Sequence, residues 1–243
     1  MENKSQLITC GGKVMSIDEL ADIVLPDKTN TYQPVPHYEL VQTIRETSKE
    51  LLRRECVEEH YCTTREGQRM FGLQTFGNGD EELGFSVAFR NSYDKSMSIG
   101  IALGFKVFIC SNLAIAGEIK ILRKHTKRVY DDIDQILVHT LFRKGPEIEG
   151  RFKENVKALK SSIMDRMAGF EFLGRAFGQN ILSPRQMSIA ANEWEFQLKR
   201  ETPADAWQLY NSCTMALKST PPNRIMEAHR LLHYELLEYA VAS

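Results

Sequence analysis

The order of apolar and polar positions divides the chain into a short lead-in, a strand-rich middle and a helical second half. In HYELVQTIRETSKELLRR, from His37, the apolar residues Leu40, Val41, Ile44, Leu51 and Leu52 recur at helical spacing, with charges between them. The period then changes to two. CVEEHYCTT and RMFGLQTF are separated by REGQ, which suits a hairpin. NGDEELG follows as a polar loop. In FSVAFRN, Phe85, Val87 and Phe89 alternate with Ser86, Ala88 and Arg90. After the next turn Met97, Ile99 and Ile101 alternate with Ser98, Gly100 and Ala102. Each of these two strands has one face of large apolar groups and one of small or polar ones. The second face either meets solvent or is approached closely by something. GFKVFIC, LAIAG and EIKILRKH continue the strand pattern.

From Val129 the spacing becomes helical again. VYDDIDQILVHTLF forms one helix, and RFKENVKALKSSIMDRMAGFEFLGRAF a second beyond a break at Gly145-Pro146. SPRQMSIAANEWEFQLKR opens with Ser183 as N-cap and Pro184 in the first helical position. TPADAWQLYNSCTMALK repeats that opening with Thr202 and Pro203, and PPNRIMEAHRLLHYELLEYA is a last helix. Residues 1–36 read as an irregular lead-in holding one short helix capped by Ser16 and Glu19. The fold class expected is α+β: an N-terminal helix, an antiparallel β meander, then a mostly helical C-terminal half. Residues 37–128 form the helix and β-rich core, and 129–243 a helical part packed on the sheet in the same domain.

Composition adds exclusions. With 42% hydrophobic and 26% charged residues and a net charge of −1, the 243-residue chain has no global basic signal. Cys10, Cys56, Cys62, Cys110 and Cys213 are odd in number and irregularly spaced, which argues against a zinc site or a disulfide framework. Reduced thiols in a cytoplasmic protein are expected. There is no signal-peptide layout and no apolar run long enough for a bilayer, so no membrane role is expected. Neither phosphate-binding glycine motif occurs. His229 and His233 have helical ligand spacing, but Arg230 replaces the glutamate of a zinc-protease helix. A plain helix surface is the simpler reading, and neither a metal nor another cofactor is expected. Cys110 is read as a structural cysteine rather than a nucleophile.

Two clusters carry candidate chemistry. Lys120-Ile-Leu-Arg-Lys-His-Thr-Lys-Arg128 has five basic residues in nine and suits phosphate oxygens. Against this stands a solvated strand-to-helix junction, where Asp131, Asp132 and Asp134 favour the positive end of the next helix. The second cluster is FRNSYDKS, Phe89 to Ser96. It is either a hairpin tip or a polar site displayed on a sheet. Arg90, Asn91, Ser92 and Lys95 would there offer donors to phosphate or a base edge. The expected nucleic-acid contacts are these four with Lys120, Arg123, Lys124, His125, Lys127 and Arg128. Exposed strand aromatics would stack on bases.

F-R-N-S-Y-D-K-S, G-F-K-V-F-I-C-S-N-L, then G-E and K-H-T, in this order, resemble a family of phage- and plasmid-borne proteins, the prophage YfjQ/YafZ type. V-P-H-Y at 35–38 and W-Q-L-Y-N-S-C-T at 207–214 extend the resemblance over roughly residues 35 to 215. The family's usual histidine is Tyr93 here. Its motif positions fall on Arg90, Asn91, Ser92, Asp94, Ser96, Cys110, Asn112, Glu118, His125, Trp207, Tyr210 and Asn211. The resemblance implies a mobile genetic element and a bacterial host cytoplasm. The plan is also similar to that of single-strand annealing proteins.

The leading expectation is a non-enzymatic, homo-oligomeric DNA-binding protein with a preference for single strands, acting in annealing or recombination. A second is an anti-defence or host-takeover protein that binds a host protein or small nucleotide. A third is a metal-dependent nuclease or nucleotide hydrolase built on Asp94, Glu118 and His125.

Overall fold

The computed structural model describes residues 8–30, 32–77, 83–107, 112–115, 120–122, 129–200 and 203–242. Its centre is a seven-stranded antiparallel sheet in meander order. β1 (Lys13–Met15) pairs with β2 (Cys56–Thr64), then follow β3 (Arg69–Phe76), β4 (Leu83–Ser92) and β5 (Ile99–Val107). Two short strands share the far edge of β5. β6 (Asn112–Ile115) pairs along Gly104–Val107, and β7 (Lys120–Leu122) along Ile99–Ile101. The expected α+β class and its order of elements are observed. The lead-in holds the expected short helix, α1 (Ile17–Ala21), and departs from expectation in that β1 joins it to the sheet.

The period-two pattern sets the two faces. Phe85, Val87, Phe89, Ile99, Ile101, Leu103 and Phe105 are buried on one of them, within the main core. Helix α2 (His37–Leu52) lays Leu40, Val41 and Ile44 into that core, all fully buried. Each such side chain contributes about 1.5–3 kcal/mol by leaving water. α3 (Val129–Leu137), which continues into a π-helical turn at Val138–Arg143, and α4 (Gly145–Ser161) add Ile133, Leu137, Leu141 and Phe152. The Phe152 ring stacks on Phe105 at 4.3 Å between centroids. Among the described residues the strand aromatics are therefore core and not stacking platforms: Phe71, Phe76, Phe85, Phe89, Phe105 and Tyr61 are all buried.

The small-residue face is covered too, which settles the alternative left open above. Ile8, Cys10, Ile225 and Met226 pack with Phe71, Leu73, Ala88 and Ala102. The amides of Thr9 and Cys10 both donate to the Lys218 carbonyl. Cys10 and Cys62 form a disulfide, so the expectation of five reduced thiols is corrected. Both side chains are buried. Their separation of 52 residues carried no sequence signature: β1–β2 pairing sets Val14 opposite Cys62, and the turn at Cys10–Gly11 folds the preceding chain back onto β2.

The C-terminal helices are α5 (Arg166–Gly178), α6 (Pro184–Leu198), α7 (Ala206–Leu217) and α8 (Ile225–Ala242). The single long helix expected from RFKENVKALKSSIMDRMAGFEFLGRAF is two, α4 and α5. Ser162 is extended, the Met164 amide donates to the Ala204 carbonyl, and the Asp165 side chain caps α5 by accepting from the Ala168 amide. Ser183 caps α6 as expected, in a capping box with Gln186. Asp205, not Thr202, caps α7, and Thr202 lies outside the described residues. His229 and His233 are buried, each 1% exposed, so they are not the plain helix surface that their spacing suggested.

Candidate nucleic-acid interface

One end of the sheet gathers the polar segment at 89–96, the β2–β3 turn and the extended chain before α2. Ser92 closes the β4–β5 connection: its hydroxyl donates to the Met97 carbonyl at 2.7 Å and accepts from the Met97 amide at 3.2 Å. The tip between them is Tyr93 to Ser96. Lys95 sits there with φ of 58°, in the left-handed region, and is exposed. Its ammonium lies 4.5 Å from the centre of the Tyr32 ring. Asp94 fixes the tip from within. One carboxylate oxygen accepts from the Ser96 amide at 3.0 Å, the other from Arg69 Nε at 2.8 Å. Burial pushes the Asp94 carboxyl up, but the Ser96 hydrogen bonds and the Arg69 charge outweigh it and hold it below the usual range.

His37 is the hub of this end. Its ring stacks on Tyr93 with centroids 3.9 Å apart and planes 3° from parallel. The His37 amide donates to the Tyr93 hydroxyl at 2.7 Å. Burial raises the Tyr93 phenol to about 12, so it stays protonated. Asn91 Nδ2 donates to the Val35 carbonyl at 2.7 Å, which fixes the orientation of its amide. The same nitrogen lies 3.0 Å from His37 Nδ1, and that ring nitrogen must therefore accept. His37 Nε2 then carries the proton and donates to the Gly67 carbonyl at 2.9 Å. Gly67 has φ of 86°, and a Cβ on it would meet Ile23 at 3.0 Å, which explains glycine in REGQ.

This geometry sorts the expected contacts. The reading of Arg90, Asn91 and Ser92 as displayed donors is corrected, because all three are buried. Arg90 lies on the small-residue face and sends Nη1 to both oxygens of Glu227, at 2.7 and 2.8 Å, and to the Asn223 carbonyl. Asn91 and Ser92 serve the backbone of the chain itself. Lys95 is exposed at the tip as expected. Lys120 is in β7, opposite Ile101. Arg123, Lys124, His125, Lys127 and Arg128 lie outside the described residues, as do Cys110 and Glu118.

Two further cations at this end were missed. Arg65 stands on the β2–β3 turn with φ of 52° and its side chain 66% exposed, 4.0 Å from Asp94. Arg69 opens β3 beside it. The signal is T-R-E-G-Q-R, where two arginines bracket a turn. The β7 register completes the arrangement. Leu122 pairs with Ile99, at the end of β5 that adjoins the Tyr93–Ser96 tip, and Arg123 is the next residue.

A second concave feature lies between α2 and the start of β2. Arg45, Lys49, Glu55, Cys56, Val57, Glu58 and Glu59 line a cavity of about 450 Å³. Arg45 pairs with Glu59, and Lys49 with Glu55 at 2.8 Å. Burial raises the Cys56 thiol to about 11, which keeps it protonated and unreactive. Among the described residues no group of three His, Cys, Asp or Glu side chains could hold a metal, and no helix is long and apolar enough to cross a membrane. No known protein family, curated protein or solved structure matches the chain.

Proposed function

We propose that the protein binds single-stranded DNA in the cytoplasm of a bacterial host, as a non-enzymatic component of a mobile genetic element. The observation that carries this reading is the β7 register. β7 ends with Leu122 at the sheet end where Arg65, Arg69 and Lys95 stand, and the basic run 123–128 follows Leu122 in the sequence. Phosphate oxygens would be met by the cations of both segments, while Asp94 holds Arg69 and the tip in place. Arg90, Asn91 and Ser92 are buried and take no part in contact.

The test is fluorescence anisotropy with labelled single- and double-stranded DNA across a salt series. Expected is binding that weakens steeply with salt, with the slope falling by about 0.7 for each single-strand phosphate contact removed. Charge reversal at Arg65 and Lys95, and separately at Lys124 and Lys127, each weakens binding about tenfold or more. Absence of binding at low salt, or indifference to both pairs of reversals, rejects the reading.

The alternative, an anti-defence protein that binds a small nucleotide, has one observation in its favour. The cavity beside Arg45 and Lys49 has a volume within the range of small-ligand sites. Its cations already face Glu59 and Glu55, so an anionic ligand would have to displace paired carboxylates.

A further inference from the structure

With the described strand aromatics in the core, a preference for single strands needs another source of base contact. After α1 the chain crosses the same sheet end, from one turn to the other. The Ile23 side chain sits on Gly67, where an added Cβ would meet it at 3.0 Å. Further on, the Tyr32 hydroxyl reaches the Ser92 and Tyr93 carbonyls, each at 3.4 Å. Between these anchors Val24 is 83% exposed, the highest value for a large apolar side chain among the described residues, and Leu25 is 42% exposed. The two turns hold their cations in a backbone conformation that L residues disfavour. Six non-glycine residues of the described chain have positive φ, and three of them stand here: Arg65 at 52°, Glu66 at 55° and Lys95 at 58°. The Tyr93 amide joins the turns by donating to the Gln68 carbonyl at 2.7 Å. Backbone strain of this kind clusters at ligand sites. Arg65 is 4.0 Å from Asp94, but Arg69 and the Ser96 amide already occupy that carboxylate, and the Arg65 side chain stays 66% exposed.

We propose that Val24 and Leu25 form an apolar ridge that receives the bases of a single DNA strand whose phosphates lie on Arg65 and Lys95. This rests on the DNA-binding function proposed above and adds the residues that read the bases. Aliphatic side chains pack on base faces and on the thymine methyl group. The charges select the occupant. A nucleotide carries an apolar base face and an anionic phosphate on one unit, which matches an apolar ridge beside two fixed and exposed cations. Two side chains on one loop bury too little to anchor the chain in a bilayer. In a duplex the base faces are stacked and closed to the ridge, so the contact is confined to unpaired strands.

The experiment is fluorescence anisotropy of the full chain with two labelled probes of equal length and charge. One is oligothymidylate, the other an abasic strand with the same sugar–phosphate backbone. Expected is oligothymidylate bound at least tenfold more tightly. Val24→Ser with Leu25→Ser removes most of that difference, leaves the affinity and salt slope of the abasic strand unchanged, and keeps the wild-type circular dichroism. Glu66 is an exposed acid on the same turn as Arg65. Glu66→Gln strengthens both probes alike, since it changes phosphate attraction and not base contact. An abasic strand that binds as tightly as oligothymidylate overturns the proposal, and so does a double variant that keeps the wild-type difference. Either result leaves the DNA-binding function standing. Absence of binding to both probes rejects that function and the base contact together. If the chain then binds phosphatidylglycerol vesicles, and the double variant does not, the ridge belongs to lipid.

Discussion

His37 shows how much a single side chain can fix. Asn91 donates to one ring nitrogen, the Gly67 carbonyl accepts from the other, and Tyr93 covers its face. Replacing it by phenylalanine keeps the stack and removes both hydrogen bonds. The expected loss is about 1–3 kcal/mol in denaturant unfolding, because Asn91 is left buried with less to bond. Nitrogen NMR of the wild type should show the Nε2-protonated tautomer. His233 makes a different prediction. Burial lowers its pKa to about 4, against an ordinary value near 6.5. Between those values the unfolded chain takes up a proton that the folded chain refuses, so stability falls as pH drops from about 6.5 to 4. The full loss is about 3 kcal/mol, and His233→Phe should flatten the slope between unfolding curves taken across that range. Neither role was legible in the sequence. Six polar residues in the eight of FRNSYDKS suggest a surface, yet Asn91 finds its partner carbonyl at Val35 and Arg90 finds Glu227. A composition window cannot show that a polar group is satisfied by residues so distant in the chain.

Elements with local causes were read correctly. REGQ separates β2 and β3 as Arg65–Gln68, and Ser16 and Ser183 cap the helices that follow them. The division between α4 and α5 was missed, because Val156, Leu159, Ile163, Met167 and Phe170 keep helical spacing straight through it. What interrupts the helix is tertiary: residues 162–164 bond to 204–206. Asp165→Ala should therefore cost about 1 kcal/mol through the lost cap, read as a shift in the urea midpoint. The disulfide also acts at this scale. It ties the segment before β1 to β2 across 52 residues. Cys10→Ser with Cys62→Ser should lower stability by about 2–4 kcal/mol relative to the oxidised chain, and a reducing agent should produce the same shift in the wild type.

Across the whole molecule, the meander and its helical cover were legible because each element announces its own period. The arrangement of the second sheet face was not. Small residues on β4 and β5 say that something comes close, and only the folded chain shows residues 8–10 and 218–227 doing so. Glu227 is the acidic member of that cover. Glu227→Ala leaves the buried Arg90 cation with the Asn223 carbonyl as its other bonded acceptor. The expected cost is about 1–3 kcal/mol in thermal or denaturant unfolding, below that of a fully buried pair because Glu227 is 37% exposed.

That cover has a consequence for synthesis. The strands from Cys56 to Val107 are complete long before Ile225, Met226 and Glu227 leave the ribosome. Until then Phe71, Leu73, Ala88 and the Arg90 cation lack their C-terminal cover on the nascent chain. The sheet must wait for a contact more than a hundred residues downstream, which makes folding slow and favours chaperone capture before completion.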